Sequence, residues 1–286
     1  MNELYTSAIR KASEVRLKLG YSLYEPINIY DICSKLEIDV QFVDINMEGF
    51  YVNNKIMDNI NYPKILISRL RPFPRRIFTC GHELGHHIFN HGLKLDILTD
   101  ENDTSNYKSD DEILVDAFSA HLIMPIACVQ SEFKKRKLDF DLATETDYYI
   151  VSSVLGVGYQ TLITHCKVNR LINDYKYLEL SKHTPSKIFK KHFGNVEEKA
   201  YFKIIDFKTS NLPIDLEVSN YLVIPSDFEV DTNYFEKIKN TQLGTLYIAK
   251  RAGISSIYSS ASEKSCFARI QPQNYIGFAE YRHLEN

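Results

Sequence analysis

Near the N-terminus apolar residues recur at helical spacing, at Leu4, Ala8, Ile9, Ala12, Val15 and Leu17, and Gly20 follows where such a helix would stop. Asn28, two residues after Pro26, can cap a second short helix in IYDICSKL. The period then changes. DVQFVD, GFYVNN and KILIS are short β-prone runs separated by Asn, Asp, Gly and Pro, and they predict three strands of one small sheet. Pro72 and Pro74 end that extended chain, and RRIFTCGHELGHHIFNH, residues 75–91, predicts a helix over 75–90. From His91 to Glu112 the chain is polar and acidic, a long loop by composition. A second apolar helix is predicted over 110–124, ended by Pro125. Residues 126–195 keep helical patterning, whereas 200–286 alternate β-prone runs (YFKIIDF, YLVIP, TLYIA, CFARI, YIGFAEY) with turn residues. The chain reads as α+β in three parts: 1–126 with helices and a three-stranded sheet, 127–195 helical, and 196–286 α+β or mainly β.

Composition narrows the function classes. Lys and Arg total 34 against 37 Asp and Glu, a formal charge of -3, so no overall positive field points to nucleic acid. Cys33, Cys80, Cys128, Cys166 and Cys266 are odd in number, scattered and without a CxxC pair. That predicts reduced thiols rather than a disulfide framework or a cysteine zinc knuckle. The first residues carry charges throughout, and the longest weakly polar run, AFSAHLIMPIACV, falls short of the ~20 residues a membrane span needs. The expectation is a cytoplasmic protein with no membrane partner.

His82 and His86 stand four residues apart on the third predicted helix. They therefore share a face and can present imidazole nitrogens to one ion at about 2.0–2.1 Å. Glu83 is rotated by roughly 100° from His82, off that vector but within reach of a water on the same ion. HExxH thus supplies two ligands and a general base. A merely solvated histidine face fits poorly with the flanking Ile77, Phe78, Ile88 and Phe89. Gly81 and Gly85 each cost a helix about 1 kcal/mol, which makes sense where another backbone must come close.

A catalytic zinc takes a third protein ligand and leaves a fourth position for water. The metzincin pattern would put a histidine ten residues after His82, where the chain has Gly92, and His87 and His91 read as surface residues or as neighbours of the ligands. Glu112 is the better candidate. It precedes Asp116 by four residues on a helix whose other faces carry Ile113, Leu114, Ala117, Phe118 and Leu122. Two acids facing a buried interface need a cation or donors, so Glu112 would ligate the ion and Asp116 would accept the ring N–H of a ligand histidine. SDDE, starting at Ser109, also fits a capping box in which Glu112 only reaches back to the backbone, but that alternative leaves Asp116 unexplained.

HExxH followed by E-x-x-x-D on a later helix resembles the gluzincin metallopeptidases. The longer strings RRIFTCGHELGHHIFNH and EILVDAFSAHLIMP resemble the ImmA/IrrE-type metallopeptidase family, over roughly residues 5–180. The resemblance implies a small gluzincin-like zinc-peptidase domain with one zinc per chain on His82, His86 and Glu112, Glu83 as catalytic base, and Asp116 behind a ligand histidine. It implies an endopeptidase in which Glu83 takes a proton from zinc-activated water and returns it to the leaving amine. Members of the family cleave helix-turn-helix transcriptional repressors, so the implied partner is a protein of that type. Val115 stands where the family usually has alanine, and Ser119 and His121 also depart from its usual residues. None is an implied ligand, so these departures bear on substrate fit.

YYIVSSVLGVGYQTLITHCKVNRLI outlines a helix, a Gly-containing turn and a second helix, with Gly158 in an N-cap place where the family usually has serine. Lys167 and Arg170 are the only Lys or Arg of the second helix, so the pair is expected to pack rather than to bind DNA directly. KKRK at 134–137 reads as a solvated helix end. The rival function is a DNA-binding regulator with a structural or vestigial metal site, and such a site has no use for Glu83 beside its ligands. The C-terminal part carries no recognised motif, and a sensing or docking role is expected from its position alone.

Overall fold

The computed structural model describes residues 3–52, 63–91, 109–194, 201–209 and 213–284. Its first half runs α1 (Glu3–Lys18), α2 (Ile29–Lys35), β1 (Asp39–Val43), β2 (Gly49–Val52), β3 (Lys64–Ser68), α3 (Phe73–Ile88) and α4 (Asp110–Ile123). Helices α5 (Ile126–Lys135), α6 (Glu145–Leu155), α7 (Tyr159–Val168), α8 (Asp174–Ser181) and α9 (Pro185–Phe193) follow. The remainder is strands: β4 (Phe202–Ile204), β5 (Ile214–Glu217), β6 (Tyr221–Ile224), β7 (Glu229–Val230), β8 (Phe235–Thr241), β9 (Gly244–Ala249), β10 (Gly253–Ser259), β11 (Lys264–Gln271) and β12 (Gly277–Phe278). The class is α+β, as the patterning predicts. Residues 92–108 of the expected acidic loop, and the last two residues of GFYVNN, lie outside the described residues.

Contacts divide the chain into two units, Met1–Cys128 with Asn274–Glu280, and Val129–Gln273 with Tyr281–Asn286. In the first, the sheet order is β12-β1-β3-β2, with β1 and β3 parallel and both outer strands antiparallel to their neighbours. The sequence predicts three strands here, and the structure adds a fourth from the far end of the chain. Tyr275 and Ala279, on either side of β12, enter the first unit's core, where Tyr275 meets Phe42 edge-on at 6.1 Å. The run YIGFAEY marks β structure here, but nothing in its pattern says that it pairs with β1.

Ala8, Ala12 and Val15 of α1 are buried in this core, and α4 packs against both α1 and α3. Buried Arg16 donates to the carbonyls of Ser22 (2.8 Å) and Glu25 (2.9 and 3.1 Å), closing the turn that follows α1. Helix α3 starts at Phe73, two residues before the predicted start. Pro74 lies in its first turn, where a missing N–H costs nothing because those N–H groups have no helical acceptor.

The α3–α4 contact depends on glycine. A Cβ at Gly81 would stand 2.5 Å from Ser119 Oγ, and one at Gly85 would stand 2.9 Å from Val115 Cβ. Two residues of α4, four apart, thus seat on two glycines of α3, four apart, and Ser119 Oγ also donates to Phe78 O at 2.9 Å. We expect Gly85→Ala to lower stability by about 1–2 kcal/mol, because overpacking against a backbone-anchored Val115 outweighs the gain in helix propensity. Adding Val115→Ala should recover most of the loss. Urea unfolding of the single and double variants measures both. A Gly85→Ala variant as stable as wild type would mean that the helices are not so closely apposed.

In the second unit, helices lie beside two four-stranded sheets of order β5-β11-β10-β7 and β4-β6-β9-β8. Helical and β parts share hydrogen bonds. Tyr149 Oη donates to Phe202 O (2.8 Å), Ile204 N donates to Ser153 Oγ (3.2 Å), and Arg136 joins Glu132 (2.6 Å) to Asp206 (2.7 Å). Buried Asp215 accepts from Arg269 (2.6 and 3.0 Å) and Arg282 (3.0 Å), and despite burial these cations hold its carboxyl below the usual range. The strands outside the predicted runs include β8, nearly all solvent-facing, and β10, which alternates with many polar residues. Residues 110–135 include an 18-residue window apolar enough by composition to cross a membrane, but 67% of that window is buried within protein, and the helix breaks at Pro125.

Candidate metal centre

The close crossing of α3 and α4 brings their facing side chains together. His82 Nε2 lies 3.2 Å from His86 Nε2 and 3.2 Å from Glu112 Oε2, and His86 Nε2 lies 3.6 Å from Glu112 Oε1. Among the described residues, no other group of three His, Cys, Asp or Glu side chains brings its ligand atoms together in this way.

These separations fit a metal ion. Three ligand atoms about a tetrahedral ion with bonds of about 2.0–2.2 Å lie roughly 3.3–3.6 Å from one another. Two imidazoles and a carboxylate form a donor set suited to zinc, with a fourth position left for solvent or substrate. The tautomer fits as well. Asp116 Oδ1 is 2.8 Å from His82 Nδ1, which keeps a proton there and makes Nε2 the nitrogen that would give up its proton to an ion. Burial works against a charged His82, yet Asp116 and Glu112, with Glu83 adding to the field, hold its pKa up to about 10. The pocket thus draws a cation to Nε2.

The backbone and the side chain of Glu112 meet different partners. Its backbone N–H donates to Ser109 Oγ at 3.3 Å, so Ser109 is the N-cap of α4, while its carboxylate turns to the histidines. Only the Ser109 half of the capping box is formed, and the Glu112 carboxylate, which the alternative would have turned back to the backbone, stands at the histidines instead. Asp110, Asp111 and Glu112 crowd the first turn of α4, where acids oppose the helix dipole favourably.

Glu83 is 1% exposed, and Gly49 at the start of β2 passes close by. A Cβ at Gly49 would stand 2.7 Å from Leu66 O, 2.9 Å from Thr79 Cγ2 and 3.7 Å from Glu83 Cγ, so only glycine lets the strand approach this far. Glu48 pins the same segment to the start of α3, with Arg75 Nε at 2.8 Å, Arg71 Nε at 3.2 Å and Thr79 Oγ1 at 3.4 Å. Arg76 is buried over the rings of Phe42 (5.6 Å) and Phe73 (5.4 Å).

The other histidines separate. His87 turns to Tyr51, whose Oη lies 2.8 Å from Nδ1, a partnership that patterning did not reveal, and burial lowers its pKa. His91 Nδ1 is 3.0 Å from His86 Nδ1. His121 is buried, which pushes its pKa down to about 4, and is not among the three converging groups. Val115 and Ser119 form the seam with the α3 glycines.

Residues 33–163 match the family model of the IrrE N-terminal-like domain, Peptidase_M78. No curated protein matches the chain.

Proposed function

We propose, taking the membership of residues 33–163 in the ImmA/IrrE-type family as premise, that the protein is a zinc-dependent endopeptidase that cuts a protein regulator. By family likeness that regulator is a helix-turn-helix transcriptional repressor. The observation that carries this reading is the convergence of His82, His86 and Glu112 beside a buried Glu83. His82, His86 and Glu112 would hold one ion. When bound, zinc supplies Lewis-acid chemistry, lowering the pKa of water toward about 7 and polarising a carbonyl. Asp116 fixes the proton and ring orientation of His82. Glu83 takes the proton of the attacking water on a carboxylate oxygen and delivers it to the leaving amine. Its burial keeps that proton from bulk solvent.

A protein partner suits the middle segment better than DNA. Lys167 Nζ is 3.1 Å from Asp174 Oδ1 and 4.6 Å over the Tyr177 ring, so the charge on α7 is engaged locally rather than offered to phosphates. A repressor substrate also places the reaction in the cytoplasm.

Purified protein should contain one zinc per chain. It should cut a purified helix-turn-helix repressor at a defined bond, and a metal chelator should stop the cutting. Mass spectrometry of the products and elemental analysis of the enzyme check both statements. Cleavage that continues in metal-free protein would defeat the proposal.

A further inference from the structure

Helix α3 ends in a way that folds the chain back over its own last turn. Phe89 is the C-cap, Asn90 takes a left-handed conformation at φ 56, Asn90 N donates to His87 O (3.1 Å) and His91 N donates to His86 O (2.9 Å). That pair of bonds is the Schellman stop, and Asn is among the few residues that tolerate its left-handed position. On a continued helix His91 would sit roughly 140° from His86. The stop instead brings the two rings together, with Nδ1 to Nδ1 at 3.0 Å and centroids 5.2 Å apart. The His91 side chain is only 12% exposed and stacks on Phe89 at 5.9 Å, and Phe89 meets Phe118 edge-on at 5.7 Å. The His91 ring is therefore held by packing.

We propose that His91 is a positioning residue for His86, selecting the tautomer that frees His86 Nε2 for the metal ion. This rests on the reading of His82, His86 and Glu112 as ligands. Two neutral imidazoles meeting through Nδ1 share one proton between them. If His86 donates, its Nε2 keeps a lone pair and the His91 proton sits on Nε2, which faces Asp111 Oδ1 at 3.5 Å, close enough for the carboxylate to attract it. If His91 donates, the His86 proton sits on Nε2 and points into the 3.2 Å gap to His82, where it blocks an ion. The Asp111 carboxylate favours the first arrangement. Each ligand histidine then has its own partner, Asp116 behind His82 and His91 behind His86.

The test compares metal retention and cobalt(II) spectra of intact full-length variants. His91→Phe keeps the stacked ring and removes the acceptor, whereas His91→Asn returns an amide oxygen close to the place of Nδ1. We expect His91→Phe to bind zinc about 10–100-fold more weakly than wild type and to alter the visible bands of bound cobalt, and His91→Asn to recover most of both. Asn90→Gly should match wild type, since glycine accepts the left-handed conformation, and Asn90→Val should behave like His91→Phe. Should His91→Phe fail to fold, the two Asn90 variants carry the same comparison. Wild-type affinity and a wild-type cobalt spectrum in His91→Phe would overturn this proposal alone. Failure of the wild-type protein itself to bind zinc or cobalt would overturn the metal reading and this inference with it.

Discussion

Glu83→Gln should leave metal content and fold intact while slowing peptide hydrolysis by about 10²–10⁴-fold, the usual worth of a general acid–base group. The substitution keeps the shape of a side chain that is 1% exposed, so packing around it does not change. It removes one desolvated negative charge, which cannot harm the folded state much and can help it. Metal affinity should fall only slightly, because Glu83 acts on His82 through its field while Asp116 and Glu112 touch the ring directly. Zinc content, a thermal melt and the single-turnover cleavage rate separate these effects. Unchanged cleavage would show that another group moves the proton, and lost zinc would show that Glu83 belongs to the ligand set.

The sequence exposed those parts of the fold whose residues repeat with a period. Helix α3 and the apolar α4 announce themselves through spacing, and HExxH through spacing and chemistry together. Glu112 and Asp116 were legible because two acids on an otherwise apolar helix demand a cation or donors, and the structure places both against the histidines. Patterning failed where a single dihedral or a distant segment decides the outcome. Asn90 at φ 56 returns His91 to His86, which no helical projection includes. Strand β12 joins β1 across more than two hundred residues of sequence, with Phe42 facing Gly277. Strand β8 faces solvent at nearly every position, so it lacks the alternation that marks a half-buried strand.

The helix seam explains why the legible parts suffice to bring the cluster together. Gly81 and Gly85 immediately precede His82 and His86 in sequence, so the surface that lets α4 approach lies one step from the side chains that converge with Glu112. Val115 and Ser119 occupy that gap, and Glu112 and Asp116 stand on the same helix at the level of the histidines. Closer packing and convergence of the ligand atoms are one event. The variants that open the seam should therefore also loosen the metal.

Glu112→Gln and Ser109→Ala should divide the two roles that meet at the start of α4. Glu112 donates its backbone N–H to Ser109 whatever its side chain, so the glutamine variant keeps the cap. It loses the anionic oxygen that stands 3.2 Å from His82 Nε2, and its zinc affinity should fall by more than the roughly 10–100-fold expected for an outer partner. Ser109→Ala should do the reverse, costing about 1 kcal/mol of stability with zinc retained. Asp116→Ala keeps all three ligand atoms but frees the His82 tautomer and ring, so it should lie between. Competition with a chelator of known affinity should rank retention as wild type, Ser109→Ala, Asp116→Ala, then Glu112→Gln. Glu112→Gln holding zinc as well as wild type would remove Glu112 from the ligand set, because an amide cannot replace a carboxylate there without a measurable loss.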